Sequence, residues 1–141
     1  MSKKLIGIPV ALIGLVLVVG GIVFIITGLS AQAEVIAGLA DEEIETVMVE
    51  GEEAVPVNSP ETAMNQANLI KAHSLDNWGT YTSMAREDPN REQYIHGVAL
   101  RNALIIARMA LQLTLLLIGL GVLFILIGIS LGGIGLKMAS E

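Results

Sequence analysis

The 141-residue chain contains no cysteine. This absence excludes disulfides, thiolate catalysis and cysteine metal sites. Histidine occurs only at His73 and His96, and His73 shares a helical face with Asp76. Two histidines without a visible third ligand fall short of the usual catalytic zinc or iron signatures. Phosphate-binding glycine loops, nucleophile motifs and dinucleotide fingerprints are also missing. We therefore expect no catalytic residue, no metal and no cofactor, and a protein that is not an enzyme.

Charged residues are missing from two long stretches, 5–29 and 109–136. As α-helices these stretches would be roughly 37 and 42 Å long, more than the ~30 Å hydrocarbon core of a bilayer requires. A helix in a soluble bundle normally keeps a polar stripe. The sequence therefore predicts an all-α membrane protein. Its two transmembrane helices form an antiparallel hairpin, joined by a small mixed, mainly helical extramembrane segment.

The acidic residues lie mostly between the two apolar stretches, from Glu34 to Glu92, and give the chain a net charge of −6. Such a segment repels nucleic acid, so we expect the partners to be the lipid bilayer and a membrane protein or a second copy of this chain. A ligand- or cation-binding role stays open for one group of carboxylates: Asp41, Glu42, Glu43, Glu45, Glu50, Glu52 and Glu53.

The orientation in the membrane follows from the basic residues. Lys3, Lys4 and Lys137 favour cytoplasmic termini, and the first helix usually dominates the orientation. Three arginines on the loop side of the second span oppose it: Arg91, Arg101 and Arg108. We expect a multi-pass protein of the plasma membrane with its loop outside the cytoplasm. Ala31-Gln32-Ala33 resembles a signal-peptide cleavage site, but the apolar region exceeds the usual ~7–15 residues, which favours an uncleaved anchor.

The organisation along the chain is predicted in three segments: 1–30 with the first span, 31–100 as the acidic extracytoplasmic segment, and 101–141 with the second span. The first helix extends through Ala31 to Ala40. Residues 44–57 form either two short strands around a turn or an extended acidic linker.

Two helix starts are predicted within the loop. Ser59-Pro60 begins a helix that ends near Trp78. Its inner face consists of Ala63, Ala67, Ile70 and Ser74. Asp88-Pro89 begins a second helix, with Asp88 as the N-cap, and this helix runs into the second span without a break until the glycines near Gly132.

Glycine recurs at a spacing of seven in the first span, and small residues do so in the second. A period of seven keeps one face of a helix toward a partner, and small residues let membrane helices approach closely. In an antiparallel hairpin the layers would be Gly7 with Gly135, Gly14 with Gly128, Gly21 with Gly121, and Gly28 with Thr114.

Three further residues are candidates for interfacial or partner contacts. Arg101 and Arg108 are seven apart and share a helical face. We expect Arg108 to anchor at lipid phosphates and Arg101 to pair within the acidic segment. Trp78 either lies at the headgroup boundary or packs within the loop segment.

The second half of the chain resembles a family of small two-span bacterial membrane proteins, largely actinobacterial. Members often carry an automatic label as an aromatic ring-opening dioxygenase subunit. The resemblance rests on Ile70-Lys71-Ala72-His73-Ser74-Leu75, Thr80-Tyr81, Arg86-Glu87-Asp88-Pro89-Asn90-Arg91, Leu100-Arg101 and the stretch from Gly119 to Gly128. It implies two spans with an external segment between them, and it supplies no activity, since ring cleavage needs an iron site.

These observations favour a non-catalytic accessory, assembly or structural subunit of a larger membrane complex. The alternative is a membrane-anchored module that binds or senses a ligand or cation. The external segment is too small for us to expect a hydrophobic core that is stable on its own.

The predicted orientation can be tested with single cysteines at Ser59 and Ser140. An impermeant thiol reagent applied to intact cells should label position 59, because the loop faces outward, and should leave position 140 unlabelled. Labelling at 140 alone would reverse the topology.

Overall fold

The computed structural model describes residues 3–48, 51 and 53–141. The elements within these residues are α1 (Lys3–Asp41), β1 (Glu45–Thr46), β2 (Val55–Pro56), α2 (Pro60–Trp78) and α3 (Arg91–Ser140). The chain divides into two compact units. The first contains the chain up to Gln32 together with Leu113–Glu141, and the second contains Ala33–Gln112.

In the first unit, α1 and α3 run antiparallel with their backbones in contact. A Cβ built on Gly21 would stand 2.5 Å from the carbonyl oxygen of Gly121, and one built on Gly121 would stand 2.6 Å from that of Gly21. Such distances are far too short for a real side chain. Glycine is therefore required on both helices in this layer.

The same reciprocal contact recurs along the helix pair. Cβ atoms at Gly14 and Gly128 would each lie 2.6 Å from the partner's carbonyl oxygen. The corresponding distances for Gly7 and Gly135 are 2.6 and 2.7 Å. The fourth layer is looser, because a Cβ on Gly28 would lie 3.1 Å from the carbonyl oxygen of Thr114. These eight positions are all buried. As the residue number rises along α1, the number of the contacting residue on α3 falls, so the two helices run antiparallel.

The rest of the helix-pair surface is apolar and exposed. Leu12, Val16, Leu116 and Leu136 each keep more than half of their surface accessible. The most apolar windows of α1 and α3 have mean hydropathies of 3.0 and 2.7, and only 11% of each window is buried. Both helices are long and apolar enough to cross a membrane, and their exposure differs from that of core helices in a soluble domain. This surface is consistent with a membrane-embedded protein.

Helix α3 continues through Gly132 and Gly133 to Ser140. The expected interruption near Gly132 is therefore wrong. In an apolar environment the backbone groups find hydrogen-bond partners only inside the helix, which opposes a break even at paired glycines.

The second unit has its own apolar core. Buried Ala63 and Ala67 line the inner face of α2, as the sequence predicts. The remaining buried members of the core come from α1, β2 and α3: Leu39, Val57, Leu104 and Leu111. Since alanine adds little volume, α2 lies close to its neighbours here.

Of the two alternatives for residues 44–57, the structure has short strands. β1 and β2 pair antiparallel, with Glu45 opposite Pro56 and Thr46 opposite Val55. Asn65 of α2 fixes β1, because its amide donates to Thr46 Oγ1 at 3.0 Å and to the Val47 carbonyl at 2.7 Å. Val49, Glu50 and Glu52 lie outside the described residues.

The C-terminus of α1 is capped by a residue in the left-handed conformation that is not glycine. Glu43 has a φ of 50°, and its N–H donates to the Ala40 carbonyl at 2.9 Å. The Ile44 N–H donates to the Leu39 carbonyl at 3.3 Å. Together these two bonds form a Schellman motif, and Ile44 packs on the core cluster that contains Leu39.

The two predicted helix starts differ in outcome. Ser59 is the N-cap of α2, with Pro60 as the first helical residue and a capping box to Thr62, as expected. The prediction that Asp88 is the N-cap of the next helix is wrong, since α3 begins at Arg91. Asp88 Oδ1 accepts from the Asn90 N–H at 2.8 Å, and its carbonyl accepts from the Arg91 N–H at 3.1 Å. The Asp88–Arg91 stretch therefore closes a turn that precedes the helix.

Two neighbouring glycines give a matched test of the helix contact. Gly21→Leu should destabilise the hairpin by about 1–3 kcal/mol, because overpacking forces the backbones apart. Gly20→Leu should be nearly neutral, because a Cβ at Gly20 would meet nothing within 4 Å. Thermal unfolding in detergent measures both. Equal stability of the two variants would contradict the contact.

Candidate functional site

A groove of about 440 Å³, here called the histidine groove, lies between α2 and the start of α3 in the second unit. The two helices approach closely where Gly97 faces Ser74. A Cβ at Gly97 would stand 3.1 Å from Ser74 Oγ, and that hydroxyl donates to the Ile70 carbonyl at 2.8 Å. Glycine at position 97 therefore permits the approach beside the groove.

Both histidines of the chain line this groove, although they lie on different helices. His73 comes from α2 and His96 from α3, and both are exposed. The rest of the wall combines polar and apolar side chains: Gln66, Leu69, Ile70, Ser74, Trp78, Gln93, Gly97 and Leu100. Convergent hydrogen-bonding groups on a largely apolar wall are typical of small-molecule sites. The sequence does not indicate that the two histidines lie in one groove, because only the antiparallel packing of α2 and α3 brings them together.

Trp78 packs inside the second unit. Its ring lies 6.4 Å from that of Tyr94 in an edge-to-face arrangement, and Tyr94 lies 5.9 Å from Tyr81. The Arg91 guanidinium stands over the Tyr81 ring at 4.2 Å. Aromatic and cation–π contacts of this kind stabilise the turn region between α2 and α3. Of the two expected positions for Trp78, its ring contacts favour packing within the loop segment.

Arg101 and Arg108 are both half-buried on α3. Arg108 Nη1 lies 3.5 Å from Sδ of Met64, a weak acceptor. Within the described residues, neither arginine has a carboxylate at salt-bridge distance. Glu50 and Glu52 lie outside that part of the chain, so the expected pairing of Arg101 stays a prediction.

A second groove of about 500 Å³ surrounds Arg108 and is called the Arg108 groove. Glu61 lines it as well, and the other lining side chains are amides, methionines and a proline: Met48, Pro60, Met64, Asn65, Asn68 and Gln112. Among the described residues, the groove thus has one cation and one anion, and its other lining side chains are neutral.

A third groove of about 530 Å³ lies in the first unit and is called the Gly132 groove. Its lining is apolar and consists of α1 and α3 residues: Ile8, Ala11, Leu12, Gly14, Leu15, Val18, Gly128, Ile129, Gly132, Gly133, Leu136 and Ala139. A Cβ at Gly132 or Gly133 would meet nothing within 4 Å. These two glycines therefore open into the groove with space for a side chain.

The acidic stretch forms no metal site in the part of the chain that the structure describes. No group of three or more histidine, aspartate or glutamate side chains there could hold a metal ion. Because Glu50 and Glu52 are not described, a cation site that includes them stays a prediction.

Comparisons with known proteins give no relative, since no family model, curated protein or solved structure matches this chain. The resemblance to the two-span bacterial family therefore stays an expectation based on the residues quoted above.

The two histidines of the histidine groove allow a prediction of the protein's metal content. We expect the purified protein to lack stoichiometric iron or zinc, because catalytic sites use three protein ligands and this groove brings two imidazoles together. Elemental analysis should give the same result for wild type, His73→Ala and His96→Ala. Stoichiometric metal that disappears in both variants would contradict this expectation and point to an enzyme.

Proposed function

We propose that this chain is a non-catalytic, two-span protein of the plasma membrane that acts as an accessory subunit of a larger membrane complex. The observation that carries the proposal is the Gly132 groove. Its occupant is an apolar transmembrane helix of a different membrane protein. The loop faces outward and both termini face the cytoplasm.

The glycines of the helix pair divide into two groups. Gly7, Gly14 and Gly21 pack directly against α3, where a Cβ would overlap backbone atoms. Gly132 and Gly133 leave open space instead. In lipid, small residues on a helix face serve close packing with another helix, because there is no hydrophobic driving force between helices. Two adjacent glycines whose Cβ positions face open space, away from α1, therefore suit a second, intermolecular contact.

The shape of the groove favours a different protein over a second copy. Two copies related by a two-fold axis through the groove would present the same concave patch to each other. Facing grooves leave an empty space, which close packing disfavours. A ridge of side chains on a partner helix fills the groove without such a void.

Matched glycine substitutions test the proposal. Wild-type protein extracted from its native membrane in mild detergent should co-purify with a membrane protein in fixed stoichiometry. Gly132→Leu should lose that protein, because the leucine side chain fills the groove. Gly119→Leu should retain it, since Gly119 also meets nothing within 4 Å and does not line the groove.

The hairpin itself should be unaffected by either substitution. Thermal unfolding of the two variants should therefore match wild type within a few tenths of a kcal/mol, the range expected for a surface change. Retention of the partner by Gly132→Leu would contradict docking in this groove. If wild type formed a homo-oligomer and Gly132→Leu were a monomer, the occupant of the groove would be a second copy of this chain and not a different protein.

A further inference from the structure

The Arg108 groove holds two opposite charges that are not paired with each other. Arg108 of α3 and Glu61 of α2 both line it, and neither has an oppositely charged group within salt-bridge distance among the described residues. Two such charges on one wall are complementary to a ligand that carries both signs. A purely anionic ligand would be opposed by Glu61, and a purely cationic one by Arg108.

The surroundings of Arg108 suit a phosphate. The Arg108 side chain is half-buried, and within the described residues the hydrogen-bond partner of its guanidinium is the Met64 sulfur at 3.5 Å. A half-buried cation with a thioether as its neighbour gains little to offset its lost hydration. Guanidinium presents a planar fork of N–H donors that matches phosphate oxygens in a bidentate contact.

The surroundings of Glu61 suit a primary ammonium. The two amide hydrogens of Asn65 are already donated to Thr46 and Val47, so this side chain offers a ligand only its oxygen. An ammonium with three N–H donors can use that oxygen together with the Glu61 carboxylate. A quaternary ammonium has no N–H, and its usual binding site is an aromatic cage, whereas no aromatic residue lines this groove within the described chain.

The position of Arg108 points to a lipid source. It directly precedes Met109, the first residue of the uncharged run to Leu136. Arginines at the end of an apolar helix segment extend their stems along apolar surface and keep the charge at headgroup depth. The methionines of the groove, Met48 and Met64, add apolar surface beside the polar groups.

We propose that the Arg108 groove binds the headgroup of a phosphatidylethanolamine lipid, with the phosphate at Arg108 and the ammonium at Glu61. The site is independent of the proposed partner, because every residue that forms it belongs to the second unit of this chain.

The test uses full-length, delipidated protein in a non-ionic detergent and native mass spectrometry with lipids of matched acyl chains. Phosphatidylethanolamine should bind more tightly than phosphatidylglycerol or phosphatidylcholine. Arg108→Gln should weaken phosphatidylethanolamine binding about ten- to a hundredfold, the range for losing hydrogen bonds to a charged group. Arg108→Lys keeps the charge without the fork and should give an intermediate loss.

Glu61→Gln separates the two halves of the headgroup. It should weaken phosphatidylethanolamine and leave phosphatidylglycerol binding unchanged or tighter, because only the ammonium contact is lost. Arg101→Gln is the matched control: it removes a half-buried arginine from the same helix, one heptad earlier, that does not line the groove. This variant should bind all three lipids as wild type does.

Three outcomes would overturn the proposal. Equal loss in Arg101→Gln and Arg108→Gln would mean general attraction by interfacial charge. Wild-type affinity in folded Arg108→Gln and Arg108→Lys would mean that the groove is not the site. Inorganic phosphate or phosphoethanolamine binding as tightly as the lipid would assign the groove to a free phosphate compound.

Discussion

The backbone contact between Gly21 and Gly121 is the constraint on which the helix pair depends. A Cβ built on either glycine would stand 2.5–2.6 Å from the other glycine's carbonyl oxygen, so that only a hydrogen fits there. Close backbone approach of this kind permits Cα–H···O contacts, which recur at helix–helix interfaces and contribute about 0.5–1 kcal/mol each. Because the contact is reciprocal and recurs at Gly14 with Gly128 and at Gly7 with Gly135, it holds the two helices in one register.

A fixed register has consequences at both ends of the first unit. The Gly28–Thr114 layer lies beside Gln32 and Leu113, where the polypeptide leaves this unit and returns to it. In this layer threonine replaces one glycine and the contact loosens to 3.1 Å. At the opposite end the contacts are shorter, and the backbone of Gly132 takes part in them, since its Cα lies 2.9 Å from the Cβ position of Gly14. The Cβ position of Gly132 itself points away from the contact and meets nothing within 4 Å. The close helix contact and the Gly132 groove are therefore adjacent and share Gly14 and Gly128, while Gly132 and Gly133 add open Cβ positions to the groove.

The sequence predicts those parts of the fold that depend on local chemistry or strict periodicity. The glycine period of seven defines layers because each member faces the same way, and the Ser59-Pro60 pair caps α2 through bonds to Thr62, only three residues away. The start of α3 was misplaced because Asp88 can cap a helix or close a turn, and its bond to Asn90 selects the turn. The histidine groove could not be predicted, since it depends on the close Gly97–Ser74 approach of two helices, which no local pattern encodes.

The proposed accessory role requires a hairpin that holds together without a partner. If α1 and α3 needed a partner to associate, the seam between them would be incomplete within one chain, and a partner helix would supply the missing atoms. Instead Gly7, Gly14 and Gly21 already meet backbone atoms of α3. The two helices can therefore associate through their own atoms, as membrane helices do where small residues let the backbones approach closely. In the proposed role the hairpin's outward faces would serve binding, and a side chain at Gly132 would enter the groove without meeting an atom of the hairpin within 4 Å of its Cβ.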